Sequence, residues 1–301
     1  MRREGYIIEE IADYSNMSES FNQVLRGTSR KRSRQGRYLL AHREEVIKEL
    51  AERISDGSFR VSGYRERTIW EYGKARNLQI LTMYDRIGVH AIMTVVDKHL
   101  RRRFIRTTSA SIQGRGTHDL MKFICRDMET DPEGTGYGYK FDIHHFYDNV
   151  RQDFAFARVF KDKKLLGILN SFIMMLDSGI SFGLRSSQAT GNLLLSIFLD
   201  HYLKDKYSVR HFYRYCDDGL VLGKTKAELW MIRDAVHSQM ERIGLQIKSD
   251  ERVFPVEEGI DFLGYVIYGP EHVRIRKRIK QKFARKMHEV KSRRRRRELV
   301  A

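Results

Sequence analysis

The stretch that most constrains this chain is Cys216-Asp217-Asp218-Gly219, two adjacent acids set between β-prone segments. Arg210 to Tyr215 and Leu220 to Gly223 read as short strands, and an Asp-Gly pair at the bend is a strong hairpin signal. Taken alone, such a tip is a solvated turn. A second acid changes the reading: Tyr139-Lys140-Phe141-Asp142-Ile143 also reads as a short strand, far upstream, and it leads into Asp142. A hairpin tip beside the end of a neighbouring strand brings three carboxylates to one point on rigid backbone. Carboxylates so placed suit hard divalent cations, which take oxygen ligands.

The rest of the chain frames that centre. Its 301 residues, 41% hydrophobic, suffice for a sizeable core and roughly two domains. Against 39 Asp and Glu stand 56 Lys and Arg, a formal charge of +17. A protein that basic usually has an anionic partner, most commonly nucleic acid. No secretory leader is expected, and the longest apolar run, Leu193 to Leu199, falls far short of the ~20 residues that span a bilayer. Two cysteines, Cys125 and Cys216, argue for a reducing, cytoplasmic setting without disulfides or a zinc site.

Arg26 to Arg37 reads as a mobile basic loop or arm, Tyr38 to Ile54 as a helix, and Ile69 to Leu81 as extended. Tyr84 to Phe104 and the Leu-rich Gln188 to Lys204 carry helical patterns, and Asp127 to Tyr137 is loop-like. Thr225 with Glu228 forms a capping box for a helix whose stripe is Leu229, Ile232, Val236, Met240 and Ile243, closed by Gly244. Ile260 to Val266 and Val273 to Ile275 read as strands around Gly269-Pro270. From Arg274 to Arg297 the tail is strongly basic, with Ile275, Ile279, Phe283 and Met287 on one helical stripe. This order predicts an α+β fold, an antiparallel sheet backed by helices.

The acidic motifs have company in a fixed order. Phe141-Asp142-Ile143-His144-His145-Phe146-Tyr147 resembles motif A of reverse transcriptases, and Tyr215-Cys216-Asp217-Asp218 resembles motif C. Gly179-Ile180-Ser181-Phe182-Gly183-Leu184-Arg185-Ser186-Ser187-Gln188 resembles motif B, Gly244 to Asp250 motif D, and Gly259 to Tyr265 motif E. Asp85 to Ala91 and Ser111 to His118 resemble the fingers motifs of bacterial retroelement enzymes. Phe182-Gly183 followed by Ser187-Gln188 is similar to the form found in diversity-generating retroelements, which are related to group II intron enzymes. Four residues depart from the usual pattern: Phe182 is larger than the usual aliphatic residue, Ser181 stands where Pro is common, and His144-His145 replaces a basic pair.

The resemblance implies a right-hand polymerase. Its basic N-terminal arm would span 1–37 and its fingers 38–135. The palm would span 136–268, with a fingers insertion at about 151–180, and a short helical thumb 269–301. It implies an RNA-directed DNA polymerase with two Mg²⁺ ions, Mn²⁺ able to substitute, acting on an RNA template and a DNA or RNA primer. Error opposite template adenines and a small basic accessory protein are further implications. Asp142 and Asp217 would bridge the ions, Asp218 would assist, and Lys248 would protonate pyrophosphate, with Arg252 its rival. Lys74 and Arg76 lie in the fingers segment, and Arg76 would grip the triphosphate. Tyr147 would exclude a 2′ hydroxyl, and Ile143, next to Asp142, would contact both nucleotide and metal. Gln188 would lie at the nascent pair, and Asn192, Gly264 and Arg115 against template or primer. Other expectations are a group II intron-like or defence-associated enzyme, an RNA polymerase (which Tyr147 opposes), and a catalytically weak RNA-binding module.

Overall fold

The computed structural model describes residues 3–71, 73–152 and 156–300. The chain begins with α1 (Ile8–Ala12), α2 (Tyr14–Val24), α3 (Thr28–Arg32), α4 (Arg34–Ala41) and α5 (Arg43–Ser55). A hairpin follows, β1 (Tyr64–Glu71) and β2 (Lys74–Leu81), then α6 (Met83–Arg101), β3 (Thr108–Ser109) and α7 (Thr117–Thr130). Next come β4 (Tyr137–Asp142), α8 (Phe146–Asn149), α9 (Lys163–Ile173) and α10 (Arg185–Leu195). β5 (His211–Tyr215), β6 (Asp218–Gly223), α11 (Lys226–Arg242) and β7 (Arg252–Pro255) follow. The chain closes with β8 (Ile260–Phe262), β9 (Tyr265–Ile267), β10 (Val273–Ile275), α12 (Lys277–Glu289) and α13 (Arg293–Val300).

These elements form two compact units of interleaved segments. The first comprises residues 1–106, 143–202 and 237–246; the second comprises 107–142, 203–236 and 247–301. In the first unit, α1, α2 and α5 pack with α6, and α6 and α9 pack with α10. Ile11, Met17, Phe21, Leu50, Ile54 and Ile92 are sealed from solvent here. Asp13 starts α2 by accepting from the amides of Ser15 and Asn16, and Thr82 starts α6 by accepting from that of Asp85. β1 and β2 pair antiparallel from Tyr64–Leu81 to Glu71–Lys74.

The second unit holds a five-stranded sheet in the order β3-β5-β6-β4-β7, antiparallel except for the β3–β5 pair. One face packs Tyr213, Leu220, Leu222 and Phe254 against Leu120, Ile124 and Met128 of α7. A small sheet, β10-β9-β8, adds Ile260, Phe262 and Ile267 to that core.

Several local expectations change. Arg26 to Arg37 is no loop: it forms α3 and the start of α4, with Ser33 accepting from the Gly36 amide. Within the expected arm 1–37, the described residues from 3 onward pack as part of the fold, because α1 and α2 contribute buried side chains. The Tyr38–Ile54 helix breaks at His42, which ends α4 and precedes α5. Gln188 to Lys204 is α-helical only to Leu195 and continues as wider π-helical turns. Ile260 to Val266 is a hairpin, turned by Leu263 at φ 51 and Gly264 at φ 90. α7 runs to Thr130 and so takes up the first four residues of the expected acidic loop. The capping box is half formed: Thr225 accepts from the Glu228 amide, but the Glu228 carboxylate takes the amide of Lys224. No helix of the described residues is long and apolar enough to cross a membrane.

Candidate active site

Asp142 ends β4 directly across from Asp218, the first residue of β6. Cross-strand partners share a face of a sheet, so the register alone sets two of the three acids side by side. Asp218 also pairs with Tyr215, which leaves Cys216 and Asp217 as a two-residue hairpin loop. Cys216 takes φ 55, the sign a type II′ turn demands at its first position, where Gly is the unstrained choice. Below the loop Arg214 is sealed from solvent, and its Nη1 donates to the Cys216 carbonyl at 2.7 Å. Sequence reasoning missed Arg214, although a lone cation inside the apolar strand His211–Tyr215 was the available signal.

Burial, followed by the charge of Asp142, raises the pKa of Asp217. The Asp218 carboxyl is pushed up to about 6, first by burial and then by Asp142 and Asp217. Lys140, to which the sequence assigns only a place in the strand, tempers Asp218 through its charge while its Nζ donates to the Asp261 carbonyl at 2.9 Å. Lys248 is ion-paired with Asp142 Oδ2, and its amide donates to the Asp142 carbonyl at 2.9 Å. Burial opposes the Lys248 charge, but the hydrogen bond to Asp142 and the nearby carboxylates outweigh it and raise its pKa.

Asp142 Oδ1 is buried and has no hydrogen-bond partner among the described residues. An orphaned carboxylate oxygen amid mutually repelling acids has the charge and donor chemistry a divalent cation requires. The acids are not a closed cage, however. Among the described residues no three His, Cys, Asp or Glu side chains stand at metal-holding geometry, and Lys248 holds the other Asp142 oxygen.

Residues of the first unit form a separate group. Tyr147 is half-buried on α8, its ring 4.8 Å from that of Phe182, and the Arg76 guanidinium lies 4.3 Å from the centroid of the same Phe182 ring. Gln79, 8% exposed, accepts from the Ser181 hydroxyl at 2.9 Å and the Phe182 amide at 3.2 Å. The Ile180 amide donates to the Tyr147 carbonyl at 2.8 Å. Gly179, at φ 68, is fixed there because a Cβ would meet that carbonyl oxygen at 2.5 Å. Gln79 thus ties motif B to β2; nothing in the sequence marked it.

The other candidates fall unevenly. Gln188 is partly exposed one turn inside α10, whereas Asn192, one turn on, is only 3% exposed. The Ile143 side chain is buried, leaving its main chain for any contact. Arg115 lies in the second unit, its amide donating to the Ile112 carbonyl. Gly264 has a structural reason of its own: its φ is 90, and a Cβ would meet Ile279 of α12 at 2.6 Å. The Ile275, Ile279 and Phe283 stripe is exposed. Arg252 stacks 4.5 Å over Phe254, so Lys248 is the motif D cation beside an acid. His144 and His145 sit in a turn with ring centroids 4.2 Å apart. The side chain of Lys74 lies outside the described residues.

The comparisons with known proteins agree on the fold. Apo telomerase from Candida tropicalis, truncated from its C-terminal domain, superposes with a TM-score of 0.54 at 14% identity, over 72% of this chain and 56% of that one. Telomerase from Candida albicans, in complex with a TWJ fragment of telomeric RNA, gives 0.55 at 11% identity, over 78% and 49%. The chain thus spans about half the length of these telomerases, and the likeness is one of right-hand polymerase fold. A search of the curated proteins finds no match. The model of the family "Reverse transcriptase (RNA-dependent DNA polymerase)" matches residues 65–267, and the chain belongs to that family. Domains of this family use divalent metal ions.

Proposed function

We propose that this chain is an RNA-directed DNA polymerase that extends a DNA or RNA primer on an RNA template, with Mg²⁺ as its ion and Mn²⁺ able to substitute. One observation carries the reading: in a reverse transcriptase domain, the β4–β6 register sets Asp142 across from Asp218, with one Asp142 oxygen buried and without a partner among the described residues. Asp142 and Asp217 would hold the two ions, with Asp218 assisting and the main chain of Ile143 completing the donor set. When bound, the ions would activate the primer hydroxyl and neutralise the departing pyrophosphate. Lys248 stands at Asp142 as a strong cation; released from that pair, it would give its proton to the leaving group. Arg76 would hold triphosphate oxygens, while Asn192, Gly264 and Arg115 would bear on template or primer.

Tyr147 would exclude ribonucleotides by bulk. Replacing Tyr147 with Ala is expected to raise ribonucleotide use relative to deoxynucleotide use by about tenfold, roughly 1.4 kcal/mol of lost discrimination. Competing the two substrates in primer extension measures this, and an unchanged ratio removes the gate.

The finer assignment is a bacterial diversity-generating retroelement, acting in the cytoplasm with a small basic accessory protein. It is supported by Phe182-Gly183 before Ser187-Gln188 and by the partial exposure of Gln188. Sequencing the cDNA should show excess errors opposite adenines, at a rate that Gln188→Ala changes; uniform error across template bases would remove this assignment. The Lys248–Asp142 pair favours a second reading, an RNA-binding module with a stalled centre. Primer extension with Mg²⁺ decides: DNA synthesis by the parent chain excludes the module, and RNA binding without synthesis excludes the polymerase.

A further inference from the structure

The first unit carries a second cationic feature, formed where the N-terminal segment meets the residues before α9. Glu4 is bound edge to edge with that segment: its amide donates to the Val159 carbonyl at 2.7 Å, and the Lys161 amide donates back to the Glu4 carbonyl at 2.8 Å. Val159 and Phe160 are sealed from solvent beneath. The pairing fixes the backbone on both sides of an open cavity of about 590 Å³ lined by Arg3, Glu4, Gly5, Tyr6, Arg103 and Lys161. Gly5 lies against Lys161, since a Cβ there would meet Lys161 Cε at 2.6 Å.

Tyr6 is the informative residue. It is 84% exposed, so its ring buries almost nothing, yet its backbone takes φ 64, a conformation that costs a non-glycine residue free energy. The Lys161 ammonium lies 5.1 Å from the ring centroid. An aromatic face displayed at conformational cost, flanked by cations, is the pattern that receives an unpaired base and its phosphate. The one acid in the cavity does not oppose this. Glu4 is bonded to His99 Nδ1 and, at 2.8 Å, to Arg103 Nη2. Burial works to raise its pKa, but those two bonds prevail and hold it below the ordinary range, already charge-compensated.

We infer that Tyr6, Lys161 and Arg3 form a binding site for single-stranded RNA, with a base stacked on Tyr6 and a phosphate held by Lys161 and Arg3. The site belongs to the first unit and uses none of the residues assigned above to catalysis. RNA bound here would be gripped as an unpaired strand, because a base already stacked in a duplex has no free face to offer.

The test is fluorescence anisotropy of the full chain with a labelled, unstructured RNA oligonucleotide in metal-free buffer, beside thermal melts. Tyr6→Ala is expected to weaken binding about tenfold, and Tyr6→Phe to preserve it. Tyr6→Gly is expected to lose binding equally while melting no lower than the parent, since glycine accepts the positive φ. Lys161→Gln should reduce the salt slope by roughly 0.7, one single-strand phosphate contact. A blunt RNA duplex should bind alike in parent and Tyr6→Ala. The proposal fails if Tyr6→Ala leaves affinity for the single strand unchanged, if Tyr6→Phe is as weak as Tyr6→Ala, or if duplex binding falls in parallel. An Asp217→Asn chain should bind the oligonucleotide like the parent, so loss of synthesis and loss of this site are read separately.

Discussion

Primer extension by an Asp142→Asn chain is expected to fall on the order of 10³-fold or more, while its melting temperature in metal-free buffer holds or rises. Asparagine keeps the shape and one acceptor oxygen for Lys248, so the fold has no reason to fail. What goes is the charge that would hold the ions, and an ion neutralising oxygen charge in the transition state is worth several kcal/mol, at tenfold for each 1.36 kcal/mol. The same charge raises the pKa of both Asp217 and Asp218, so its removal relieves repulsion that the folded state alone bears.

The pH dependence gives an independent check. Asp218 has an ordinary value of 3.8 and a folded value of about 6. Between the two, the folded chain keeps a proton that the unfolded chain has lost, so this carboxyl's contribution to stability falls as pH rises through that window. With Asp142 neutral, the fall should be shallower. Melts at both ends of the window compare the slopes, and extension assays compare the rates. Parent-like synthesis by Asp142→Asn would remove the carboxylates from catalysis.

What the sequence made legible is the part that depends on alternation and order. The β4 strand, the β5–β6 hairpin and the buried stripe of α11 follow from local apolar pattern, and the motif order carried the family. What it hid depends on partners far along the chain. Arg26 to Arg37 looks like a loop because its composition is basic; it is helical where Ser33 accepts from the Gly36 amide and Arg30 donates to the Val24 carbonyl. Gln79 is one polar residue in an alternating strand until Ser181 and Phe182 reach it across the fold. Gly264 suggests room for a primer by its motif, yet a positive φ and the side chain of Ile279 explain it without one. The Asp-Gly pair signals a hairpin, but the bend is at Cys216 and Asp217, and Gly219 lies within β6.

That displacement gives Gly219 a different purpose and leads to the largest expected effect on stability. Gly219 is absent from the positive-φ residues, so no turn requires it. It pairs with Phe141 on one side and Arg214 on the other. A Cβ at Gly219 would stand 2.1 Å from Phe141 Cζ and 2.5 Å from Cε1, in a ring only 1% exposed. Glycine in a strand interior marks such a close approach. Gly219→Ala must therefore displace a packed ring or part β4 from β6, at a cost of about 3 kcal/mol, the upper end of ordinary overpacking. Either movement disturbs the register that sets Asp142 across from Asp218, so synthesis should fall along with the melting temperature. A smaller side chain beneath should restore both. Phe141→Leu alone leaves space and is expected to destabilise, but the Gly219→Ala/Phe141→Leu double variant should be more stable than the sum of the single changes allows, by 1 kcal/mol or so. Denaturant unfolding of the four proteins measures that coupling. Simple additivity would mean that the Phe141 ring is not what keeps residue 219 a glycine.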